Sequence, residues 1–346
     1  MNQIISKIER AKSEKSALLS LTKEDLTNIP SKVFDLEHLT NLNLRDNNIQ
    51  SIPREISKLK KLKVLYLDGN NIKELPTEIF ELENLEILNI EKNNLKFLPK
   101  NIGNSRNLKR LRISENDLTE LPESLGDLLN LEYLFGHGNS IKNLPKEIEN
   151  LENLTHLNFF NNQIQNFDFD LSRLTKLEYL ELGFNEIKKI SKTIGKVTKL
   201  KILSLFDNAL KILPAEINSL VELTKLNLSY NNLTEIDFDL NLMKNLAELH
   251  VFANEELKFK QLDILELCSR TPNYSTHSRL IIDQTQESLI EKYRRRIESS
   301  KIGIVDLDKR RMPEHHYKQI PIELSERYKL TDPRLEKFRM LRENRK

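Results

Sequence analysis

The chain has 346 residues, of which 38% are hydrophobic, 31% charged and only 6% aromatic. Its 54 basic and 52 acidic residues leave a formal net charge of +2, which excludes a field of one sign over the whole molecule. A single cysteine, Cys268, excludes an internal disulfide framework. The chain contains no run of about 18 apolar residues, so no membrane span is predicted. The N-terminus lacks a signal-peptide pattern. These features predict a cytoplasmic protein, with export by a specialised secretion system as the open alternative.

The first predicted element is a short helix at the N-terminus. The opening residues, with Ile4, Ile8 and Ala11, resemble the helical caps that precede bacterial repeat arrays. The resemblance implies a helical cap over residues 1–15. Such a cap would cover the apolar end of the structure that follows it.

A repeat of 23 residues occupies most of the chain. An asparagine marks its frame at Asn47, Asn70, Asn93, Asn116, Asn139, Asn162, Asn185, Asn208, Asn231 and Asn254. A degenerate copy precedes these, which makes about eleven repeats within residues 16–269. One such unit cannot bury its own leucines. We therefore expect the units to stack into a solenoid with a continuous core.

Each repeat predicts the same local structure, as residues 62–76 illustrate. Leu65 and Leu67 alternate with polar residues, which is typical of a short strand with one buried face. Asn70 follows at the turn, where its amide can satisfy backbone groups that the turn leaves unpaired. After Pro76 the apolar residues are spaced by three, which suits a 3₁₀ turn on the outer side.

Two departures from the repeat are interpreted as structural. The proline after the turn is replaced by Asp168, Ser191 and Asp237, while the apolar spacing there stays intact. Gly136 occupies a leucine slot, and the same slot of the next repeat holds Phe159. Because cores tolerate exchanges that conserve total volume, we predict that the large ring fills the space beside the glycine.

The frame L-x-x-L-x-L-x-x-N-x-L-x-x-L-P resembles the leucine-rich repeat superfamily, over about 70% of the chain. The 23-residue length is similar to that of the intracellular class typified by Scribble, Ras-suppressor and plant Ras-group proteins, and many bacterial proteins share it. The resemblance implies an α/β repeat fold, a right-handed solenoid (horseshoe) with a parallel β-sheet on its concave face. It also implies protein binding, although a fold does not fix a function.

Aromatic and histidine side chains concentrate beside the strand leucines of the later repeats. We count repeats from the one that contains Asn47, so that repeats five to ten contain Asn139 to Asn254. Clustered rings on a rigid scaffold are typical of interface hot spots. We predict that the concave face of repeats five to ten binds a protein; packing of the rings on the C-terminal segment is the open alternative. The candidate residues are Tyr133, Phe135, His137, His156, Phe160, Tyr179, Phe184, Phe206, Tyr230, His250 and Phe252.

Residues 270–346 do not follow the repeat and are predicted to form a small, basic, mainly helical C-terminal unit. They hold 19 Lys and Arg against 12 Asp and Glu. Apolar spacing predicts helices over 286–297 and 333–343, and a short strand over 302–307. Basic runs at 294–296 and 309–311 are of the kind that binds nucleic acid. However, no stacking platform, zinc frame or helix-turn-helix pattern accompanies them, so a nucleic-acid partner is not favoured.

No enzyme motif is visible in the sequence. It lacks a phosphate loop, a G-x-S-x-G nucleophile elbow and an H-E-x-x-H zinc helix, and the Glu-His-His cluster at 314–316 has no ligand partner at a fixed spacing. We therefore expect no cofactor, no metal and no catalysis. The sequence favours an intracellular adaptor or regulator. An exported bacterial effector and an enzyme with its activity in the C-terminal segment are the alternatives.

Overall fold

The computed structural model describes residues 2–239, 242–251, 254, 256–257, 279–283 and 303–307. It begins with helix α1, Asn2–Ser13, where the sequence predicts a helix. Ile4, Ile8 and Ala11 are buried in the same core as the repeats behind them. Lys32 pairs with Glu9 at 2.7 Å and so ties the exposed side of the helix to the first full repeat.

In the described residues, the strands form one parallel sheet in which each strand pairs with its neighbours in sequence order. The central leucines of successive strands are in register, as Leu134, Leu157 and Leu180 are, and these side chains are fully buried. The strands are β1 Leu18–Ser20, β2 Asn41–Asn43, β3 Val64–Tyr66, β4 Ile87–Asn89, β5 Arg110–Arg112, β6 Tyr133–Phe135, β7 His156–Asn158, β8 Tyr179–Glu181, β9 Ile202–Ser204, β10 Lys225–Asn227, β11 Glu248–His250, β12 Arg279–Asp283 and β13 Gly303–Leu307. The predicted solenoid is confirmed.

The repeat asparagine forms a ladder inside the stack. Asn162 shows the pattern: its Nδ2 group donates to the carbonyl oxygens of Gly136 at 3.0 Å and Phe159 at 3.1 Å. Its Oδ1 atom accepts from the backbone N–H of Ile141 at 3.1 Å. The amide thus pairs buried backbone groups of two neighbouring repeats, which would otherwise each be left unsatisfied. The role predicted for this residue is confirmed.

The outer side of the stack consists of 3₁₀ turns, as the spacing predicts. In the described residues they are Ser31–Asp35, Arg54–Lys58, Thr77–Glu81, Ile102–Asn104, Glu123–Asp127, Lys146–Asn150, Leu171–Arg173, Lys192–Lys196 and Ala215–Ser219. Proline directly precedes most of them. Where Ser191 replaces it, the hydroxyl accepts from the N–H of Thr193 and caps the turn instead. A parallel bridge also joins Phe167 to Ile190, immediately before two of the replaced prolines.

Gly136 and Phe159 are complementary. A Cβ atom at Gly136 would overlap the ring of Phe159, and that ring is fully buried. The glycine therefore provides the space that the larger ring occupies in the adjacent layer. The volume exchange predicted from the sequence is confirmed, and both positions belong to the core.

The sheet continues past the last asparagine of the repeat. The predicted strand near 302–307 is present as β13, and β12 lies between it and β11. Leu280 pairs with Leu249 and Ile304 with Leu280, so two strands of the segment predicted as a separate helical unit extend the solenoid. The predicted helices at 286–297 and 333–343, Cys268, the basic runs and the cluster at 314–316 lie outside the described residues.

Candidate functional site

The open face of the sheet is the face opposite the buried leucines, formed by the residues on either side of each central leucine. Because successive side chains of a strand point to opposite faces, Tyr133 and Phe135 both project there from β6, around Leu134. The parallel register places His156 beside Tyr133 and Tyr179 beside His156. Each position of the repeat therefore forms a column that crosses the strands.

One column holds three stacked rings, which we call the stacked column: Tyr133, His156 and Tyr179. The ring centroids of Tyr133 and His156 are 4.7 Å apart, and those of His156 and Tyr179 are 5.7 Å apart. The guanidinium of Arg110 lies 4.6 Å from the centroid of Tyr133 and closes the N-terminal end of the column. Phe135 contacts Tyr133 from the same strand, at 6.2 Å.

A second group of rings lies where the chain leaves the strands. We call it the edge-on cluster: Phe160, Phe184, Phe206 and Tyr230. Their centroids are 5.0, 5.0 and 5.2 Å apart in that order, with ring planes 60° to 77° apart, which is the geometry that aromatic pairs prefer. All four are half-buried, so each keeps part of its surface open to solvent.

Two members of the edge-on cluster stand at a position where the backbone of the repeat is left-handed. Phe184 and Tyr230 have φ angles of 52° and 55°, in the region that disfavours bulky side chains. The other described repeats have a positive φ at the same position, and there the residues are Asp46, Gly69, Lys92, Glu115, Gly138, Asn161 and Asp207. The left-handed turn is therefore a feature of the repeat, and only the large ring sets Phe184 and Tyr230 apart.

Between the stacked column and the edge-on cluster lies a row of polar side chains, the polar row: Asn158, Glu181 and Ser204, in register on β7, β8 and β9. Asn158 is fully buried, and Glu181 and Ser204 are each 8% exposed. Burial raises the pKa of Glu181 to about 7, although Ser204 and the N–H of Gly183 both donate to its carboxylate.

Three candidate residues are more buried than predicted. The sequence placed Tyr179, His137 and His250 on a solvent-exposed surface, but they are only 8%, 7% and 7% exposed. Neighbouring side chains within a column lie one strand spacing apart, so large side chains cover one another. His250 hydrogen bonds the Glu248 carboxylate at 3.2 Å, and this bond, with Lys225, lowers the pKa of Glu248 to about 2.

The remaining candidates are brought together on the open face, with one outside the described part of the chain. His137 lies 4.0 Å from the carboxylate of Glu115, so it faces an acid of its own chain. Phe252 lies outside the described residues. The structure thus groups the other rings around the polar row rather than in a single continuous patch.

Sequence reasoning missed Glu181 and Asn158. A signal was present, because the Glu181 position holds asparagine in other repeats, at Asn43, Asn89 and Asn227. A carboxylate in a column of amides marks an exception that a column-by-column comparison could have found. The prediction relied on aromatic residues, and these lie in the neighbouring columns.

The described residues contain no group of three or more His, Cys, Asp or Glu side chains placed to hold a metal ion. None of their helices combines the length and the apolar character that crossing a bilayer requires.

Comparisons with known proteins agree with this architecture. A family model described as "Leucine-rich repeat region" matches residues 18–97 and 88–192, and one described as "Leucine rich repeat" matches residues 175–233. The chain belongs to the leucine-rich repeat family. A comparison with curated proteins found no match.

Several solved structures share the fold. A leucine-rich repeat protein of Leptospira interrogans is 32% identical, with a TM-score of 0.71 over 87% of this chain and 77% of that one. The functional domain of InlJ from Listeria monocytogenes is 25% identical, with a TM-score of 0.60 over 70% and 52%. The ectodomain of the Arabidopsis thaliana receptor kinase GASSHO1/SCHENGEN3 is 25% identical, with a TM-score of 0.65 over 84% and 38%. The finer resemblance to the Scribble and Ras-suppressor class stays a prediction.

Proposed function

We propose that this chain is a protein-interaction module that binds a protein partner on the open face of repeats five to ten and catalyses no reaction. The observation that carries the proposal is the edge-on cluster, four half-buried rings held on a rigid parallel sheet. Large rings lose little conformational entropy on binding and are enriched among the residues that dominate interface affinity.

The side chains at Phe184 and Tyr230 support the same proposal. This left-handed position holds glycine or a polar residue in the other described repeats, and a bulky ring adds strain there. The rings offset part of the strain by packing on Phe160 and Phe206. Packing alone does not require them to remain half-exposed, whereas a partner surface does.

We assign the module to an intracellular adaptor or regulator. The single cysteine favours this assignment over a cystine-stabilised secreted repeat protein. The Arabidopsis ectodomain was solved in complex with CASPARIAN STRIP INTEGRITY FACTOR 2, so a similar fold does hold a polypeptide ligand.

An exported host-interaction protein is the second candidate, because the Leptospira and Listeria proteins are similar over most of this chain. The structure of InlJ includes a cysteine ladder, which one cysteine cannot form here. Fractionation of expressing cells separates the two candidates. Accumulation in the medium without lysis would favour export, and retention in the cell would favour the adaptor.

The test of the binding face is the double variant Phe184→Asn/Tyr230→Asn. Asparagine tolerates the left-handed region, so the variant should keep the stability of the wild type within about 1 kcal/mol. It removes two of the four rings. Partners captured by the wild-type chain from expressing cells should bind the purified variant at least about tenfold more weakly, measured by calorimetry.

Tyr66→Ala is the matched control. Tyr66 is a half-buried ring on the same open face, in β3 and outside repeats five to ten. Its removal should leave partner affinity unchanged. If the Tyr66 variant loses binding and the double variant keeps it, the proposed face is wrong.

A further inference from the structure

The polar row contains a carboxylate where other repeats carry an amide, a ring or an arginine. In several repeats a side-chain oxygen at this position accepts from the backbone N–H two residues on. Asn158 accepts from Phe160 at 3.0 Å, and Glu181 accepts from Gly183 at 3.1 Å. The same bond is made by the asparagines at Asn43, Asn89 and Asn227. An amide therefore supports the backbone without an ionisable group, and the structural bond leaves the negative charge of Glu181 unexplained.

The ionised carboxylate is unfavourable in the free protein. Burial raises the pKa of Glu181, and the hydrogen bonds from Ser204 and Gly183 offset this only in part. Lys225, from β10, contributes a further favourable charge, but it also forms an ion pair with Glu248 at 3.0 Å. Tyr179, two residues before Glu181 on β8, is a further titratable group, and the carboxylate raises the pKa of Tyr179 beyond the effect of burial.

Two buried polar atoms beside Glu181 have no hydrogen-bond partner among the described residues. They are the hydroxyl oxygen of Tyr179 and the Nδ2 group of Asn158. Tyr179 is 8% exposed and Asn158 is fully buried. An unsatisfied buried polar group destabilises a protein by about 1–3 kcal/mol, so each atom calls for an explanation. Both atoms are completely covered, so a ligand with several N–H donors and a carbonyl oxygen would satisfy both only after the side chains above them moved aside.

Rings border the polar row on both sides. The stacked column lies on one side and the edge-on cluster on the other, with Phe160 and the carboxylate of Glu181 both packed over Gly183. This face already binds guanidinium groups of its own chain. Arg45 lies 3.8 Å from the centroid of Tyr66, and Arg112 lies 4.9 Å from that of Phe135. Planar guanidinium stacks on aromatic faces and carries donors that match a carboxylate.

We propose that the polar row receives an arginine side chain of the protein partner, which pairs with Glu181 and stacks between the stacked column and the edge-on cluster. Once the side chains that cover them move aside, the hydroxyl of Tyr179 accepts a further N–H of the guanidinium, and Asn158 donates to a carbonyl oxygen of the same partner. This inference rests on the proposed function and specifies the chemistry of the partner. It makes Glu181 a specificity-determining residue, because only a basic side chain compensates its buried charge.

The test uses a random peptide library displayed on phage as the probe. The full chain is panned at about pH 8, where Glu181 is ionised. The selected peptides should share an arginine. A synthetic peptide with that arginine should bind the wild type at least about tenfold more tightly than the E181Q variant. Selection of lysine at the shared position, or of no basic residue, would overturn the assignment of arginine.

A double-mutant cycle isolates the pair. Replacing the peptide's arginine with citrulline, its neutral analogue, should weaken binding to the wild type by the same factor and should have little effect on E181Q. The E181N variant provides a second background, because asparagine supports the backbone at this position in other repeats. Equal affinity of the arginine peptide for wild type, E181Q and E181N would overturn the inference.

The Phe184→Asn/Tyr230→Asn variant distinguishes the two proposals. If the selected peptides lose affinity for it but not for E181Q, the open face is the binding site and the arginine pairing is wrong. If they bind it as tightly as the wild type, their site lies elsewhere, and the proposed function and this inference are both contradicted. Panning that yields no binder contradicts both as well.

Discussion

The two halves of the open face satisfy their aromatic rings in different ways. In the N-terminal half, Arg45 stacks on Tyr66 and also donates to Asp68 at 2.7 Å. The ring and the acid thus share one cationic partner from the same chain. In repeats five to ten, Phe184 instead contacts Phe160 and Phe206 edge-on. The first half is complete within its own chain. The second half leaves ring surface and the buried carboxylate of Glu181 for a ligand to contact. One repeat pattern therefore forms both a solvated region and the proposed binding region.

The largest effect is expected at Gly136, where the two halves meet. Gly136→Leu restores the usual leucine, but its side chain would overlap Phe159 in the next layer. Overpacking of a rigid core should lower the free energy of unfolding by about 3 kcal/mol, measured by urea denaturation.

Phe159→Leu in the same chain should recover most of that loss, because two leucines then occupy the two slots as in the other repeats. Additive destabilisation in the double variant would show that the pair does not exchange volume, and the explanation of this boundary would be wrong.

The next effect concerns Glu181 and pH. Its pKa is raised to about 7 from an ordinary value of 4.5, so the folded state holds its proton more tightly than the unfolded state. The contribution of Glu181 to stability is therefore fully present below about pH 4.5 and is lost as pH rises through about 7, by about 3 kcal/mol in total. The E181Q variant should lack this loss.

Urea denaturation of both chains between about pH 4 and 8 measures the difference. Its sign is diagnostic: the wild type should become less stable relative to E181Q as pH rises. A difference that is constant across this range would mean that the carboxyl titrates as it does in the unfolded chain, and that burial does not disfavour its charge.

The smallest effect is expected at Arg45. Arg45→Ala removes one ring contact and one partly exposed ion pair in the N-terminal half. The free energy of unfolding should fall by about 1 kcal/mol, and partner affinity should not change. A loss of partner affinity would break the comparison, because it would place part of the binding surface in the half that we consider complete.

The sequence predicted the regular part of the fold well. The 23-residue spacing predicted the strands, and the chemistry of asparagine predicted hydrogen bonds such as those of Asn162. It did not predict that Tyr179 is buried, because alternation assigns a side chain to a face but not the extent to which neighbouring columns cover it. It also missed β12, and it predicted the strand β13 without predicting that β13 extends the sheet. Leu280 and Ile304 lie 31 and 24 residues after their strand partners, outside the 23-residue frame.

The central claim is that repeats five to ten form the partner surface, and site-specific photo-cross-linking tests it most directly. A benzophenone amino acid extends a phenylalanine ring with a benzoyl group, which the half-buried positions Phe184, Phe206 and Tyr66 can direct to solvent, and we would place it singly at each of them. The account predicts cross-links to the bound partner from Phe184 and Phe206 and none from Tyr66. Cross-links from Tyr66 alone would contradict it.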